Sequence, residues 1–519
     1  MQDVRRAAVR GRFHLQQRVE VWWASAENHI EAHPFLWITA LAAATLILLA
    51  VEAQFRPLQY EEIVTYCVAR APNLETIYAN LRKGIDNHAP LDYSLRHLFM
   101  ALLGDHPLSF RLPSLAGFAV GIFAVFGLVR RHAPAISALL AALLFAASQA
   151  AAVGQYARSY GMVLGNCALG LWLWRKAADG KKRSLTVPLL GVSMAASLML
   201  HYYGPIQMLC VVAAELMRTA QRRRVDWWMW LAFAATFLPL PLVWPLIQNA
   251  RQYSKGFWAP LTLEACLDIY HLLFAYLAAP VVIILFLYVA GKLVMDAPET
   301  ALPPVRQVAP ELAAAAWLVA LPVVIFCIAK AFTGALFFRY ALSLIVGVAF
   351  LFGLAASCSR LLRMVTALVL GVFTLALLTA KAGSFARYTD YGLAQEMPVL
   401  AGMTDLPIVI DAPQSFLETW YYVPDSLRKR IYYLVDADAA YRIQKQNVDQ
   451  RFLLIMGGIA GFQAVRREDF IREHPRFALV YQGGWLLESI ATRVRRIEVA
   501  YHHRIPLMTI DQADNREVH

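Results

Sequence analysis

The stretch from Gln54 to Ser114 reads QFRPLQYEEIVTYCVARAPNLETIYANLRKGIDNHAPLDYSLRHLFMALLGDHPLSFRLPS and lies between two long apolar runs. It carries the adjacent carboxylates Glu61 and Glu62 and the cluster Asp86-Asn87-His88. Such a polar segment cannot lie in hydrocarbon, because its charged and backbone groups would lose their hydration. We therefore predict a large extramembrane loop, with short amphipathic helices where apolar residues recur at helical spacing.

The composition of the whole chain agrees with this prediction. Of 519 residues, 59% are hydrophobic and 16% are charged, and the mean hydropathy is +0.48. The hydrophobic fraction exceeds that of soluble globular proteins and the charged fraction lies below theirs, which indicates a multi-span membrane protein. The formal charge of +12 falls mostly in short loops, without a basic stripe that interleaves aromatics, so nucleic acid is not an expected partner. The six cysteines show no CxxC or metal-ligand spacing and are predicted to be buried apolar residues.

The apolar runs predict about eleven transmembrane helices, after a basic amphipathic cytoplasmic segment at residues 1–34. Their approximate bounds are Phe35–Ala53, Leu108–Val129, Ala135–Val153, Tyr156–Trp174, Leu185–Tyr203, Pro205–Leu216, Trp228–Ile247, Cys266–Val294, Leu312–Phe332, Phe338–Ser357 and Leu361–Ala380. The first loop then covers residues 54–107, and the membrane domain covers residues 35–380.

The distribution of lysine and arginine predicts the orientation. With the N-terminus in the cytoplasm, the loops assigned inside carry roughly twice as many basic residues as the short loops assigned outside. An odd number of spans then places the C-terminus outside.

The composition changes after Lys381, and residues 381–519 are predicted to form a small extracytoplasmic α/β domain. Strand-like runs occur at Pro407–Ile410, Phe452–Met456 and Phe477–Tyr481. No glycine-rich phosphate loop follows any of these runs, which argues against a nucleotide-binding domain.

The predicted topology brings charged residues at the ends of several spans to the outer side, opposite the acidic loop. They are Arg158, His201, Tyr202, Arg251, Lys255 and Arg339. Any one of them, including Arg339 beside Tyr340, can be explained as a lipid-headgroup anchor. Together they suit an anionic lipid-linked substrate whose phosphate stays at the interface.

The order of motifs resembles the first outer loop of the protein O-mannosyltransferases and of the bacterial aminoarabinose transferases, both of the GT-C superfamily. The matching segments are Tyr60-Glu61-Glu62, Asp86 to Tyr93 (DNHAPLDY) and Gly104 with Arg111-Leu112-Pro113-Ser114. Further matches are Ala157 to Tyr160, His201 to Tyr203, and Arg339-Tyr340. Two departures are Glu61-Glu62, where the family usually has Asp-Glu, and Ala89 and Asp92 within the second motif.

The resemblance implies an all-α GT-C-like membrane domain and an enzyme of the bacterial inner (plasma) membrane. Such an enzyme moves a sugar from a polyprenyl phosphate to a hydroxyl of a protein, lipid or glycan, with inversion at the anomeric carbon. Glu61 is implied as the general base, and Glu62 as a group that orients Glu61 or binds a basic partner. Arg158, Arg339, Arg251 and Lys255 are implied as phosphate ligands, with His88 as a hydrogen-bond donor and Tyr160, His201, Tyr202 and Tyr340 beside them. Asp86 and Asp92 are the other carboxylates of the loop, and a divalent metal is left open.

Other interpretations remain. Glu61 and Glu62 also suit a helix start, and His88 with Ala89-Pro90 suits a turn. A lipid-linked glycan flippase would also place arginines outside, but transporters usually show internal repeats and mid-membrane charges. A glycan polymerase or ligase would use a diphosphate donor and is expected to carry its large outer loop late in the chain.

Overall fold

The computed structural model describes residues 18, 20–86, 88–251, 261–294, 303–384 and 393–512. A helical part extends to Ser384, and a smaller domain built on one six-stranded sheet begins at Leu393. This is the predicted division into a helical membrane domain and a C-terminal α/β domain.

Helices are the main secondary structure of the described part of the chain before residue 393. The α-helices are Pro34–Phe55, Tyr60–Ala69, Leu74–Arg82, Pro90–Leu103, Pro107–Arg130, Ala135–Ala146, Gln149–Gly154, Tyr160–Ala178, Arg183–Leu200, Gly204–Arg222, Trp227–Ala234, Leu240–Arg251, Leu263–Val294, Val305–Ile328, Leu344–Ser357 and Arg360–Ser384. Short 3₁₀ segments lie at Ala235–Phe237 and Phe338–Ala341, and a π-helical turn lies at Ala329–Thr333. Residues 20–32 of the predicted N-terminal amphipathic segment are also helical.

Six of these helices are long and apolar enough to cross a membrane, and a bent pair at 227–251 makes a seventh. Ala135–Ala146 and Leu344–Ser357 are shorter apolar helices. An integral membrane protein is thus confirmed. Each of the eleven predicted spans coincides with helix, but several are broken or short, so the number of crossings stays a prediction.

Two helices of the membrane domain cross at very close range through glycines. Pro107–Arg130 contains Gly117 and Gly121, and Tyr160–Ala178 contains Gly161 and Gly165. A Cβ atom on Gly165 would lie 1.9 Å from the carbonyl oxygen of Gly117. Small residues four apart allow the backbones of membrane helices to meet in this way. The contact supports the start of Tyr160–Ala178, directly after Arg158.

The loop at 54–107 folds into three short helices, as the apolar spacing predicts. Each helix begins at a residue that favours a helix start. Glu62 completes a capping box with Gln59, and the Asn73 side chain accepts a hydrogen bond from the Thr76 amide at 2.8 Å. Pro90 is the first residue of the third helix. The helices bury Ile63, Ile77 and Tyr93 among other residues in one apolar cluster.

The C-terminal sheet combines a parallel part with a hairpin. Its strands are β1 (Ile408–Ile410), β2 (Ile431–Val435), β3 (Gln463–Arg466), β4 (Arg476–Val480), β5 (Val494–His502) and β6 (Ile505–Gln512). The order is β3-β2-β1-β4-β6-β5, with β3, β2, β1 and β4 parallel and β6 antiparallel to both β4 and β5. The helices of this domain are Leu393–Gly402, Pro413–Tyr422, Asp425–Arg428, Ala437–Gln444, Val448–Ala460, Arg467–Glu473 and Leu486–Ile490, with a 3₁₀ turn at Ala491–Arg493.

Two of the three predicted strands are confirmed, in β1 and β4. The third, Phe452–Met456, is wrong, because it lies inside the helix Val448–Ala460. Phe452, Leu453 and Met456 are all buried, which is the spacing of one helical face. A short apolar run does not distinguish a buried strand from a buried helix.

The C-terminal domain packs against the loop at 54–107, so both lie at the same end of the helical part. The Leu58 amide donates to the Tyr422 hydroxyl at 2.5 Å, and the Tyr60 amide donates to Glu418 Oε1 at 2.8 Å. An even number of crossings must therefore separate the loop from the domain. The ten spans predicted after the loop satisfy this condition.

Candidate active site

A cavity of about 290 Å³ lies between the 54–107 loop, the broken ends of the membrane helices and the C-terminal domain. Its lining includes ten of the thirteen residues singled out in the sequence: Glu61, Asp86, His88, Arg158, Tyr160, His201, Tyr202, Arg251, Arg339 and Tyr340. Of the others, Lys255 lies outside the described residues, and Glu62 and Asp92 are buried elsewhere.

Glu61 lies in the first turn of the helix Tyr60–Ala69, and its side chain is 32% exposed, toward the cavity. It pairs with Arg339 through both guanidinium Nη atoms, Nη2 lying 2.6 Å from Oε1. The Nε of Arg158 lies 3.8 Å from Glu61 Oε2. A carboxylate and two guanidinium groups therefore meet at one wall of the cavity.

The surroundings set the protonation of Glu61. Burial alone would raise the pKa of this carboxyl, but Arg158 and Arg339 outweigh it and hold the pKa below its ordinary value. Glu61 is therefore ionised at neutral pH, and it is a weaker base than a free carboxylate for as long as both arginines face it.

Arg158 is held at the break between two helices, Gln149–Gly154 and Tyr160–Ala178. Its Nη1 donates to Asp86 and, at 3.0 Å, to the Thr65 hydroxyl. Asp86 also accepts from the Tyr93 hydroxyl at 2.8 Å. The predicted DNHAPLDY segment thus holds Arg158 through its first carboxylate.

Glu62 faces away from the cavity and is fully buried among cations. Arg111 binds the Glu62 carboxylate through two nitrogen atoms, with Nε 2.8 Å from Oε1 and Nη2 2.6 Å from Oε2. The Nη2 atom of Arg56 lies 3.2 Å from Glu62 Oε1. Burial would raise the pKa of Glu62, but Arg111 and Arg56 lower it to about 2. Glu62 Oε1 also accepts the Ala157 amide at 2.7 Å, directly beside Arg158. The expected basic partner is present, and Glu62 joins Arg111 and Arg56 to the backbone beside Arg158.

The remaining matched residues of the loop hold the backbone at Arg158. Asp92 does not reach the cavity: it is fully buried against Arg96, which it meets at 2.7 Å. Arg96 in turn donates to Ser114 Oγ at 2.8 Å, and Ser114 Oγ donates to the Arg158 carbonyl oxygen at 2.9 Å. The RLPS and DNHAPLDY segments are therefore joined beneath Arg158.

Three buried nitrogen atoms around the cavity have no hydrogen-bond partner among the described residues. They are His88 Nδ1, Arg158 Nε and Arg339 Nε. Burial, with Arg158 as the next cause, holds the pKa of His88 well below its ordinary value, so this imidazole is neutral. Buried polar groups are usually paired, so these three atoms leave hydrogen-bonding capacity beside the cavity.

Aromatic side chains form another wall. The guanidinium of Arg339 lies 5.2 Å from the Tyr160 ring centroid and 4.3 Å from that of Phe337. Tyr340 stacks on Tyr203 at 4.9 Å, and His201 lies 5.2 Å from Tyr340. Arg251 lies at the far side, over the Trp244 ring. Tyr202 donates to the His88 carbonyl oxygen at 3.2 Å.

Two further polar residues line the cavity: Tyr60, which sequence reasoning named only as part of the matched motif and without a site role, and Asp449, which it did not name. The Tyr60 hydroxyl donates to Asp449 Oδ1 at 2.5 Å, across 389 residues of chain. Tyr60 could have been considered from its place beside Glu61. Asp449 carried no signal, because only the packing of the C-terminal domain brings it to the cavity.

The charges of the cavity residues decide whether a metal ion can bind there. Its loop carboxylates Glu61 and Asp86 each pair with an arginine, so a divalent cation there would face two guanidinium groups. Among the described residues, the group with metal-ligand spacing is Glu396, His502 and His503 in the C-terminal domain. The cavity residues therefore do not fit a cation, and no step is derived through one.

Two solved structures are similar to the whole chain, whereas no protein-family model and no curated protein matches it. The crystal structure of ArnT from Cupriavidus metallidurans in the apo state superposes with a TM-score of 0.57 at 12% identity, over 91% of this chain and 97% of that chain. The structure of the same protein bound to undecaprenyl phosphate gives 0.56 and 12%, over 92% of this chain and 98% of that chain. The chain therefore has the fold of ArnT, which confirms the predicted class of a helical membrane fold with a small C-terminal sheet domain.

Proposed function

We propose that this chain is a membrane glycosyltransferase that moves a sugar from a polyprenyl phosphate to an acceptor hydroxyl. The observation that carries the proposal is the pairing of Glu61 with Arg339 and Arg158 in one cavity. Binding of undecaprenyl phosphate by ArnT, which shares the fold, supports the class of donor.

The residues can be assigned to a direct displacement. The acceptor oxygen attacks the anomeric carbon while the bond from that carbon to the phosphate oxygen breaks, and the electron pair leaves with the polyprenyl phosphate. Glu61 takes the proton of the acceptor hydroxyl. Arg158 and Arg339 stabilise the charge that grows on the phosphate, and this interaction is stronger in the transition state than in the ground state.

The ion pairs of Glu61 suggest how binding of the lipid donor changes the basicity of this carboxylate. A phosphate that binds Arg158 and Arg339 replaces Glu61 as their anionic partner. The pKa of Glu61 then rises from its lowered value, since the two groups that lower it are now shared. Glu61 becomes a competent base only when the donor is present, which limits side reactions of the free enzyme.

The proposal includes the side of the membrane. We place the cavity and the C-terminal domain on the extracytoplasmic face of a bacterial inner membrane, with the N-terminus inside. The support is the lysine and arginine bias, because the basic loops assigned to the cytoplasm lie together at the end of the helical part away from the cavity. Contacts there join Arg131 to Asp179 at 3.0 Å and Arg363 to Glu27 at 2.7 Å.

One measurement separates the proposed transfer from its alternatives. The purified full chain is incubated in detergent with a native envelope lipid extract, and the lipid products are identified by mass spectrometry. A transferase of the proposed kind releases polyprenyl phosphate. A flippase leaves the lipid-linked sugar intact, and a polymerase or ligase releases polyprenyl diphosphate, so either result contradicts the proposal.

A further inference from the structure

A second cavity, of about 190 Å³, lies within the C-terminal domain. It is smaller than the roughly 300–1,000 Å³ of pockets for drug-sized ligands, so it suits one small group. Asp411, which follows β1, and the segment Gln482–Gly484, which follows β4, form two of its walls. We call this cavity the crevice.

The position of the crevice in the sheet is one that favours ligands. β1 pairs in parallel with β2 on one side and with β4 on the other. The chain passes from β1 to β2 and later returns to β4, so the strand order reverses between β1 and β4. In open sheets of this kind, ligands bind outside the carboxyl ends of the strands at such a reversal.

The backbone on either side of the crevice is held tightly. Asp411 Oδ1 accepts the Gln482 amide at 2.8 Å, and Oδ2 accepts the Gly484 amide at 2.9 Å. A Cβ atom on Gly484 would lie 2.7 Å from the Asp411 carboxylate, so only glycine allows this approach. The crevice is therefore preformed.

The lining chemistry points to a neutral, hydroxyl-rich ligand. Six carboxamides line the crevice: Gln414, Gln444, Gln446, Asn447, Gln450 and Gln482. Three of them, Gln444, Asn447 and Gln450, already donate within the domain, and no such bond is seen for Gln414 and Gln446 among the described residues. A carboxamide both donates and accepts hydrogen bonds, and so does a hydroxyl group. Among the described lining residues none is basic, so a phosphate would face Asp411 and Asp449 without a counter-charge.

The crevice adjoins the active-site cavity. Asp449 lines both, and it accepts the hydroxyl of Tyr60, the residue before Glu61. The Tyr60–Asp449 pair therefore forms the boundary between the crevice and the cavity that holds Glu61. An acceptor anchored in the crevice has to cross this boundary to reach Glu61.

We propose that the crevice binds a neutral sugar unit of the acceptor and thereby delivers an acceptor hydroxyl to Glu61. The acceptor is then a glycan or a glycolipid. This inference rests on the proposed function, because it assigns the acceptor of the same reaction.

The test compares the full chain with the double variant Gln414→Ala/Gln446→Ala in detergent. Gln463→Ala, at an exposed position on the edge strand β3 of the same domain, is the matched control. Saturation-transfer NMR measures binding of the methyl glycosides of glucose, galactose, mannose and N-acetylglucosamine. We expect at least one glycoside to bind wild type and the control, and to bind the double variant several-fold more weakly.

Kinetic measurements show whether the double variant impairs binding of the acceptor or of the donor. With a glycan and glycolipid extract as acceptor, the double variant should raise the acceptor KM roughly tenfold, since two neutral hydrogen bonds are lost. The donor KM should change less than twofold. Comparing soluble glycan with glycolipid fractions shows which source carries the sugar unit.

In the NMR measurement, the inference is overturned if no glycoside binds wild type, or if the double variant binds as well as wild type does. In the kinetic measurement, it is overturned if the donor KM rises instead of the acceptor KM. A Ca²⁺ titration of wild type that saturates, with no sugar binding, would also overturn it. If wild type shows no turnover of any lipid-linked sugar, the proposed function fails. The NMR arm still decides whether the crevice binds sugar.

Discussion

At the scale of single residues, two adjacent glutamates have separate tasks because they face different surroundings. Glu61 opens to the cavity and shares its charge with Arg339 and Arg158, whereas Glu62 is enclosed by Arg111 and Arg56. Neighbouring residues on a helix point about 100° apart. One acid can therefore act on a ligand while the other holds the structure that positions it.

The two cavity arginines give the first prediction. Arg158→Ala and Arg339→Ala should each lower kcat/KM for the lipid donor by about 10- to 100-fold, because a charge-assisted hydrogen bond of roughly 2–3 kcal/mol to the phosphate is lost. Lysine at either position should restore only part of the rate, since the planar fork is missing. Arg82→Ala, on an exposed part of the same loop, serves as the control. Wild-type rates in both folded alanine variants would make these arginines membrane anchors.

Glu62 gives a prediction about stability. Glu62→Gln leaves two buried guanidinium groups without their carboxylate, which typically costs about 3–5 kcal/mol. The thermal midpoint in detergent should therefore fall clearly, whereas Glu75→Gln, at an exposed position of the same loop, should leave it unchanged. An unchanged midpoint for Glu62→Gln would contradict the positioning role.

The stabilisation by Glu62 should depend on pH. Its pKa is lowered to about 2 from an ordinary value of 4.5, so the folded state favours the ionised carboxylate. The contribution is complete above pH 4.5 and is lost as the pH falls toward 2. The difference in midpoint between wild type and Glu62→Gln should be constant from pH 7 to about 5 and then shrink. A difference that grows on acidification would contradict the assignment.

The sequence allowed prediction of most charged residues of the cavity, because they lie in short polar motifs at the ends of apolar runs. Arg158 and Arg339 are examples. Asp449 could not be predicted, since its position depends on how a separate domain packs on the loop. The pairing of Glu62 with Arg111 could not be predicted either, because Arg111 lies 49 residues away and is buried on another helix.

At the scale of elements, the site depends on where helices break. Arg158 lies between Gln149–Gly154 and Tyr160–Ala178, and Arg339 follows the π-helical turn Ala329–Thr333 and Gly334, whose φ is +67°. Hydropathy places ends of predicted spans close to both breaks, but it does not predict the further interruption between Ala135–Ala146 and Gln149–Gly154. Non-helical backbone at membrane depth is tolerated where it lines a cavity, which is its place here.

The glycine crossing gives a prediction for these elements. Gly165→Ala would bring its methyl group within 1.9 Å of the Gly117 carbonyl oxygen, so the two helices must separate. We expect a lower thermal midpoint and weaker donor use, because the start of Tyr160–Ala178 supports Arg158. Gly371→Ala, at a helix position where a Cβ meets nothing within 4 Å, should change neither property. Equal behaviour of the two variants would contradict close packing at this crossing.

At the scale of the whole molecule, the chain has two unlike ends. One end holds the loop, the cavity and the C-terminal domain, and the other holds basic loops joined by ion pairs such as Arg218 with Asp226 at 2.7 Å. Charge bias along the sequence predicted this separation. The number of crossings was harder to predict, since helices such as Ala135–Ala146 are too short to be counted by length alone.

The orientation can be tested by labelling single cysteines with a membrane-impermeant maleimide in a cysteine-free background. Leu74→Cys in the loop and Glu468→Cys in the C-terminal domain are exposed and should be labelled in intact, outer-membrane-permeabilised cells. Lys181→Cys, exposed at the opposite end, should be labelled only after lysis. Labelling of Lys181→Cys before lysis would reverse the proposed orientation.

The central claim is that Glu61 removes the acceptor proton while the two arginines hold the donor phosphate. The most direct measurement is the rate of polyprenyl phosphate release by purified Glu61→Gln, with lipid donor and acceptor extract. Glutamine keeps the size of the side chain but is not basic, so the rate should fall by about 10²- to 10⁴-fold with donor binding largely retained. Glu61→Asp, which introduces the residue usual in the family that the first loop resembles, should keep measurable activity. A fully active Glu61→Gln would contradict the account and transfer the role of base to Asp86.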